Sequence, residues 1–388
     1  MENENLTPFP AIAWESVDAH RQWHLSALMR VTHRFHAEAR RGEWTLRLTP
    51  DQGELCERDV FFDDEMRLPV RHESDFVPFK PATDIIVNAV ARTATPKTRF
   101  PCGAQVFAPD GETLARAEIL VTGERWWRKT ALGWVADDIQ PVTEVPLRYD
   151  RAFGGAIPNP DPEQAAQQPF LAEHRLNPVG TGLRHRKMPD TPWREPQLTW
   201  RERGRAPADT PAGLGFIHRS WQPRLALAGT YDAAWLETQH PYPPRDFDDR
   251  HHQAANPALV LPGYLPPRAR FALANLMGAD RIDRFHLPEL HGFVELDTPA
   301  GRQRLCLSVD TVRIDIDAPD PADWRMSVSH RVRIPRPARL DGLRFLWLPT
   351  EQLERQAAKN RDGATALGPH IVSRTRSTKS VFEEVTHG

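Results

Sequence analysis

LSALMRVTHRFHA, residues 25–37, is the stretch that decides the fold. Leu25, Ala27, Met29, Val31, Phe35 and Ala37 share one parity, and Ser26, Arg30, Thr32, Arg34 and His36 the other. Apolar residues at every second position are the signature of a half-buried strand, because successive side chains of a strand point to opposite faces. Trp44, Leu46 and Leu48 repeat the alternation after Arg40-Arg41-Gly42, which predicts a hairpin partner.

The same period recurs outward from this hairpin. Asp84 to Val90 is an apolar run short enough for a buried strand, and Ala115, Ala117, Ile119 and Val121 alternate before Gly123. In 303–316, Leu305, Leu307 and Val309 share one parity while Val312, Ile314 and Ile316 share the other. The inward face therefore switches near Asp310, as a bulge or tight turn would make it do. Met326, Val328, Val332 and Ile334 predict a further strand. Arg268 to Met277 reads as a short helix, Glu351 to Lys359 as a short surface helix, and the chain from Asn360 as a polar tail.

Proline reinforces this reading: 37 of 388 residues is about twice ordinary usage, and each proline removes a backbone donor and ends helices early. The fold class expected is mainly β: an antiparallel sandwich or barrel-like body with long Pro/Gly-rich ordered loops and a few short helices. Three regions are expected. They are a β-rich part over 1–150, a loop-rich aromatic segment over 151–265 packed on the body, and a β-rich part with short helices and a frayed tail over 266–388. The middle segment is dense in turn signals yet holds Phe153, Trp193, Trp200, Phe216, Trp221, Tyr231, Trp235 and Phe247, which favours ordered loops over a flexible linker.

Charge and cysteine usage narrow the function. Fifty Lys and Arg against 52 Asp and Glu leave a net charge of −2, which argues against a dedicated nucleic-acid binder. Cys56, Cys102 and Cys306 are too few for a disulfide framework and fit a reducing compartment. MENENLTPFP shows no basic region followed by an apolar run, and no stretch approaches the roughly 18 apolar residues of a membrane span. A soluble cytoplasmic protein with no membrane partner is expected.

No G-x-S-x-G elbow, no G-x-x-x-x-G-K-[ST] loop and no G-x-G-x-x-G opening a helix occurs. The glycines in Ala152-Phe153-Gly154-Gly155 and Asn177-Pro178-Val179-Gly180-Thr181-Gly182 read as turns needing positive φ rather than a phosphate cradle. Asp246-Phe247-Asp248-Asp249-Arg250-His251-His252 is the most metal-like segment, with His286 and His291 as further ligands. Adjacent histidines normally point apart and the five-residue spacing fits no common site, so no metal is expected. Asp63, Asp64 and Glu65, or Asp137 and Asp138, could be pressed into a glycosidase pair, but nothing sets two carboxylates across a cleft and a solvated charge run is the simpler reading. Trp126-Trp127, flanked by Arg125, Arg128 and Lys129, could stack single-stranded bases; a partner-contact or snorkelling-arginine patch, with one indole inside and one outside, is preferred.

One ordered string of motifs goes further. Ser74-Asp75-Phe76-Val77-Pro78-Phe79-Lys80-Pro81-Ala82-Thr83-Asp84-Ile85-Ile86-Val87 is followed by Val145-Pro146-Leu147-Arg148-Tyr149-Asp150-Arg151-Ala152-Phe153-Gly154-Gly155 and by Asn177 to Gly182. Then come Pro211-Ala212-Gly213-Leu214-Gly215-Phe216-Ile217, Gly229-Thr230-Tyr231-Asp232-Ala233-Ala234-Trp235 and Pro244-Arg245-Asp246-Phe247-Asp248. This string, over roughly residues 20–335, resembles the family catalogued as domain of unknown function 2169, found in bacterial type VI secretion gene clusters.

The resemblance implies an effector-loading adaptor or chaperone that helps place a toxin, often through its PAAR-type tip, onto the VgrG spike, with no catalytic activity and no cofactor. Its motif positions here are Asp75, Pro78, Lys80, Asp84, Gly154, Gly155, Asn177, Gly180, Gly229, Tyr231, Asp232, Asp246 and Asp248. Related sequences tend to carry aromatic residues where this chain has His251 and His252, which points to local pH sensitivity there. Partner-contact candidates are Trp126, Trp127, Tyr149, Arg151, Phe153 and Trp235, because aromatic loops edged by arginine compose such surfaces. Tyr149, Arg151 and Phe153 could instead lock the long loops to the body, and Asp75, Lys80 and Asp84 could form an internal ion pair and turn. Two other readings stay open: a β-scaffold carbohydrate-active hydrolase, and a structural component of the spike.

Overall fold

The alternating stretch is the long strand Trp23–Ala37, and its neighbours are the antiparallel strands Ala11–Val17, Trp44–Leu48 and Arg325–Pro335. A computed structural model describes residues 2–63, 69–186, 188, 190–201 and 210–349 of the chain. Asp64, Glu65, the helix expected over 351–359 and the tail from Asn360 lie outside the described residues. The architecture is mainly β. A seven-stranded sheet carries, in order, Val142–Pro146, Asp84–Lys97, Ser308–Ile316, Arg325–Pro335, Trp23–Ala37 and Ala11–Val17, with Trp44–Leu48 also paired to the long strand. One pair, Asp84–Lys97 with Ser308–Ile316, is parallel. A five-stranded sheet contains Arg99–Phe107, Thr113–Thr122, Leu198–Trp200, Arg270–Ala274 and Ile282–His286. A four-stranded sheet contains Glu2–Asn5, Gly342–Pro349, Leu290–Thr298 and Gly301–Cys306. The seven-stranded sheet thus draws strands from both ends of the chain.

One face of that sheet is apolar and packs on both smaller sheets, side by side along the strands. Leu25, Ala27, Met29 and Val31 meet Val294, Leu296, Leu343 and Phe345 of the four-stranded sheet. Further along the same face, Phe35, Val312, Ile314, Met326 and Val328 join Cys102, Ala104, Ile119, Phe271 and Phe285 of the five-stranded sheet. The register sets Val31 beside Val328 and Met29 beside His330, so a seam between the two cores crosses the sheet at this level.

Two expectations change. Arg270–Ala274 is a strand, not part of a helix. Its Ala and Leu favour helices, but pairing on both edges, with Arg99–Phe107 and Ile282–His286, satisfies its backbone and overrides that preference. The polar face of the long strand is not half-buried in the ordinary sense of facing water: Ser26, Arg30 and Thr32 are buried too. Loops from the 54–63 and 69–83 stretches cover it, the Ser26 hydroxyl donating to the Pro78 carbonyl and Arg30 reaching the Asp75 carboxylate and the Glu54 carbonyl. The face switch at Asp310 is real, carried by a register shift between Val309 and Thr311.

Helices are short. Pro162–Ala165 and Ala233–Thr238 are the α-helices among the described residues, each capped by a preceding aspartate, Asp161 and Asp232.

Candidate partner-binding site

The covered polar face is a layer of ion pairs. Arg30 reaches Asp75 at 2.6 Å, and Asp75 also accepts from the Cys56 N–H at 2.7 Å. Its carboxyl stays at about 2 although burial opposes ionisation, because His72 and Arg30 favour the charged form. Lys80 donates to Asp84 at 2.7 Å, and Asp84 further accepts from Gln253 Nε2 and the Ala254 N–H, both at 2.7 Å. Arg224 forks onto Glu73, Arg331 pairs with Asp310, and the Pro78 carbonyl accepts from the Ser26 hydroxyl at 2.8 Å. Asp75, Lys80 and Asp84 are all buried. These groups fasten loops to the sheet, and none of the three is placed to meet a partner.

A second buried junction takes Tyr149, Asn177 and the glycines. Tyr149 is 3% exposed, lies edge-on to Trp221 at 5.8 Å, and a Cβ on Gly213 would come within 2.5 Å of its ring. Asn177 Nδ2 donates to the carbonyls of Tyr149 and Phe153 at 2.8 and 3.0 Å. Gly154 holds φ +149°, and a Cβ there would sit 2.2 Å from the Asn177 carbonyl oxygen. Gly155 holds φ +125° and donates its N–H to that same oxygen, while Gly180 backs onto the Asn177 amide. Arg151 bonds Gln197 and Phe153 packs edge-on to His174 at 5.1 Å. Tyr149 is therefore removed from the surface candidates, since a ring enclosed on this scale cannot reach another molecule.

The stretch 224–252 behaves differently. Gly229 turns at φ +82° with Pro244 and Asp246 closed against it. Asp246 accepts from the Thr230 N–H at 3.0 Å and the Thr230 hydroxyl at 2.7 Å, and these bonds hold its carboxyl below the usual range. Asp232 caps the helix Ala233–Thr238 by accepting from the Trp235 N–H at 2.8 Å. Half-buried Trp235 donates its indole N–H to the Tyr242 carbonyl at 2.9 Å. Buried Gln239 ties the segment to the Ala19 carbonyl, and Arg21 lies over the Tyr242 ring.

This bracing does not enclose the apolar side chains it carries: Tyr231 is 59%, Leu236 61% and Leu225 49% exposed. Asp248 is held by Arg250, and Phe247 packs against both His251 and His252. The His251 ring donates to the Arg224 carbonyl, and burial with neighbouring cations pushes His252 down to about 3. Both imidazoles serve as neutral packing groups at neutral pH.

A second outward-facing element is the small sheet of Trp126–Thr130, Gly133–Ala136 and Trp193–Arg194. Trp127 stacks on Trp193 with ring centroids 5.6 Å apart and donates to Glu195 at 2.6 Å. Arg184 lies over Trp134 and Trp193, and Lys129 over Trp134. Trp126 is 37% exposed, and the hairpin tip presents Leu132 and Val135 to solvent. Among the described residues no three His, Cys, Asp or Glu side chains gather in a metal-holding group. His286 lies on the five-stranded sheet and His291 on the four-stranded one.

The family model described as "Uncharacterized protein conserved in bacteria (DUF2169)" matches residues 20–331. The chain belongs to the DUF2169 family. Searches of the curated proteins and of the solved structures each found no match. The DUF2169 region contains the ion-pair layer, the Tyr149 junction and both outward-facing elements, and leaves out the strands Glu2–Asn5, Ala11–Val17 and Gly342–Pro349.

Sequence reasoning named Trp126, Tyr231 and Trp235 but missed Leu132, Val135, Leu225 and Leu236. The hairpin tip could have been found, since Leu132-Gly133 between two Trp-bearing strands is a turn that strands a leucine outside. Leu225 and Leu236 carry no such signal, because a leucine in a short helical turn is ordinarily inside.

Proposed function

We propose that the chain is a non-enzymatic, cytoplasmic adaptor that loads a PAAR-tipped toxin effector onto the VgrG spike of a bacterial type VI secretion system. The observation that carries this reading is the braced outward display of Leu225, Tyr231 and Leu236. Their segment is rigidified by Asp232, Asp246 and Gln239, yet these side chains gain little burial from it, as a preformed contact surface would require. The hairpin tip at Leu132 and Val135 offers a second surface on a different element, which suits a protein that must bring two partners together. A glycan hydrolase would need two carboxylates facing each other across a cleft; Asp63 is instead bonded to Arg148 and Asp137 to Arg128.

Affinity capture of the tagged protein tests the reading, using cells that co-express the PAAR-tipped effector and VgrG encoded beside it, with the effector omitted in parallel. Recovery of VgrG that depends on the effector is expected. Recovery of neither partner overturns the adaptor reading.

A further inference from the structure

The seam between the two cores is not closed. On the apolar face of the seven-stranded sheet, between the four-stranded sheet and the loops around 264–267 and 287–289, a cavity of about 160 Å³ remains. That is about the size of an engineered cavity of roughly 150 Å³ that accepts benzene. Leu265 and Leu287, which belong to one core, and Leu290 and Leu307, which pack on the other, form its walls.

Two imidazoles line the same cavity, His291 from the strand Leu290–Thr298 and His330 from Arg325–Pro335. His330 is 3% exposed. Among the described residues neither ring has a hydrogen-bonding protein partner, and burial holds both below the ordinary histidine range. An unpartnered buried polar group is costly, so the buried His330 ring, with the half-buried His291 beside it at the same cavity, is served by a ligand that can bond to both.

The chemistry of that ligand follows from the lining. A neutral imidazole offers one donor and one acceptor, which a hydroxyl, itself both, can match. The charged group at the cavity, Glu289, is paired with Arg268, so nothing there favours an anion or a cation. The leucine walls and the volume suit a hydrocarbon body of one six-membered ring. We propose that this seam binds an uncharged phenol-class ligand, its ring against the leucines and its hydroxyl toward His291 and His330. The proposal stands apart from the adaptor reading and does not depend on it.

Titration of the full-length protein with p-cresol, followed by calorimetry and by the histidine ring resonances, tests it. One saturable site is expected, with the His291 and His330 signals moving together. Toluene, the same size without the hydroxyl, is expected to bind about tenfold more weakly, the loss of one buried hydrogen bond. Cys306 lines the cavity from an exposed position at a sheet edge, so Cys306→Trp should fold and abolish binding by filling the mouth. His330→Leu should bring p-cresol down to toluene's affinity; the Cys306→Trp result stands even if that variant folds poorly. N-acetyl-tyrosinamide as a second probe separates the sources of the phenol: binding like p-cresol points to a tyrosine side chain of another protein, and failure to bind points to a free small molecule. The absence of saturable p-cresol binding, or equal binding by the Cys306→Trp variant, overturns the proposal.

Discussion

The layer around Asp75, Lys80 and Asp84 and the segment around Gly229, Tyr231 and Asp246 both carry family-motif residues, but the motif does opposite work in the two places. In the first, every charged group is buried and matched to a partner, so the motif is accounted for by folding. In the second, the polar groups brace a turn and a short helix whose apolar side chains remain in water. Folding accounts for Gly229, Asp232 and Asp246 and leaves Tyr231 over. A motif residue that contributes to a structure and gains nothing from it is where a partner should be sought.

Substitutions should separate the two regions. The largest effect is expected from Lys80→Met, which strands the Asp84 carboxylate in the interior and should lower unfolding stability by about 3–5 kcal/mol in urea titration. A loss below about 1 kcal/mol would show that the buried layer is not what holds the loops down.

Acid should act on the same interior. Burial pushes His33 down to about 4 and His330 and His252 to about 3, so these rings are neutral when folded but take up protons near the ordinary value of 6.5 when unfolded. Their contribution is complete above pH 6.5 and drains away as the pH falls toward 3–4. Each of the three rings should take about 2 kcal/mol from stability between pH 7 and pH 5, with proton uptake on unfolding at pH 5. A flat profile over that range would contradict the burial of these imidazoles.

Gly229→Ala comes next, because an L residue at φ +82° with Pro244 2.7 Å from its Cβ must distort the turn. A loss of about 1 kcal/mol is expected together with weakened partner capture. Capture that stays intact would detach the turn from binding. The smallest stability effect, within about 0.5 kcal/mol, is expected for Tyr231→Ala, measured by thermal unfolding, since little of this ring is buried.

Much of the fold was legible in the sequence. The period-2 pattern found the strands at Trp23–Ala37, Thr113–Thr122 and Arg325–Pro335, and the parity change marked the bulge at Asp310. It failed at Arg270–Ala274, where alanine and leucine buried on both sides leave no alternation to read. Alternation also could not reveal that the face bearing Arg30 is covered, because its partners Asp75 and Glu54 arrive from loops distant in sequence. The candidate site was half legible. The glycine and aspartate positions announce a braced turn, but exposure is a property of what does not pack nearby, and no local pattern encodes it.

The most direct test of the central claim is capture of the PAAR-tipped effector and VgrG by the double variant Tyr231→Ala/Leu236→Ser, alongside the unsubstituted protein. The account predicts an unchanged unfolding midpoint and loss of at least one partner. Recovery of both partners at undiminished yield by the folded variant would contradict it.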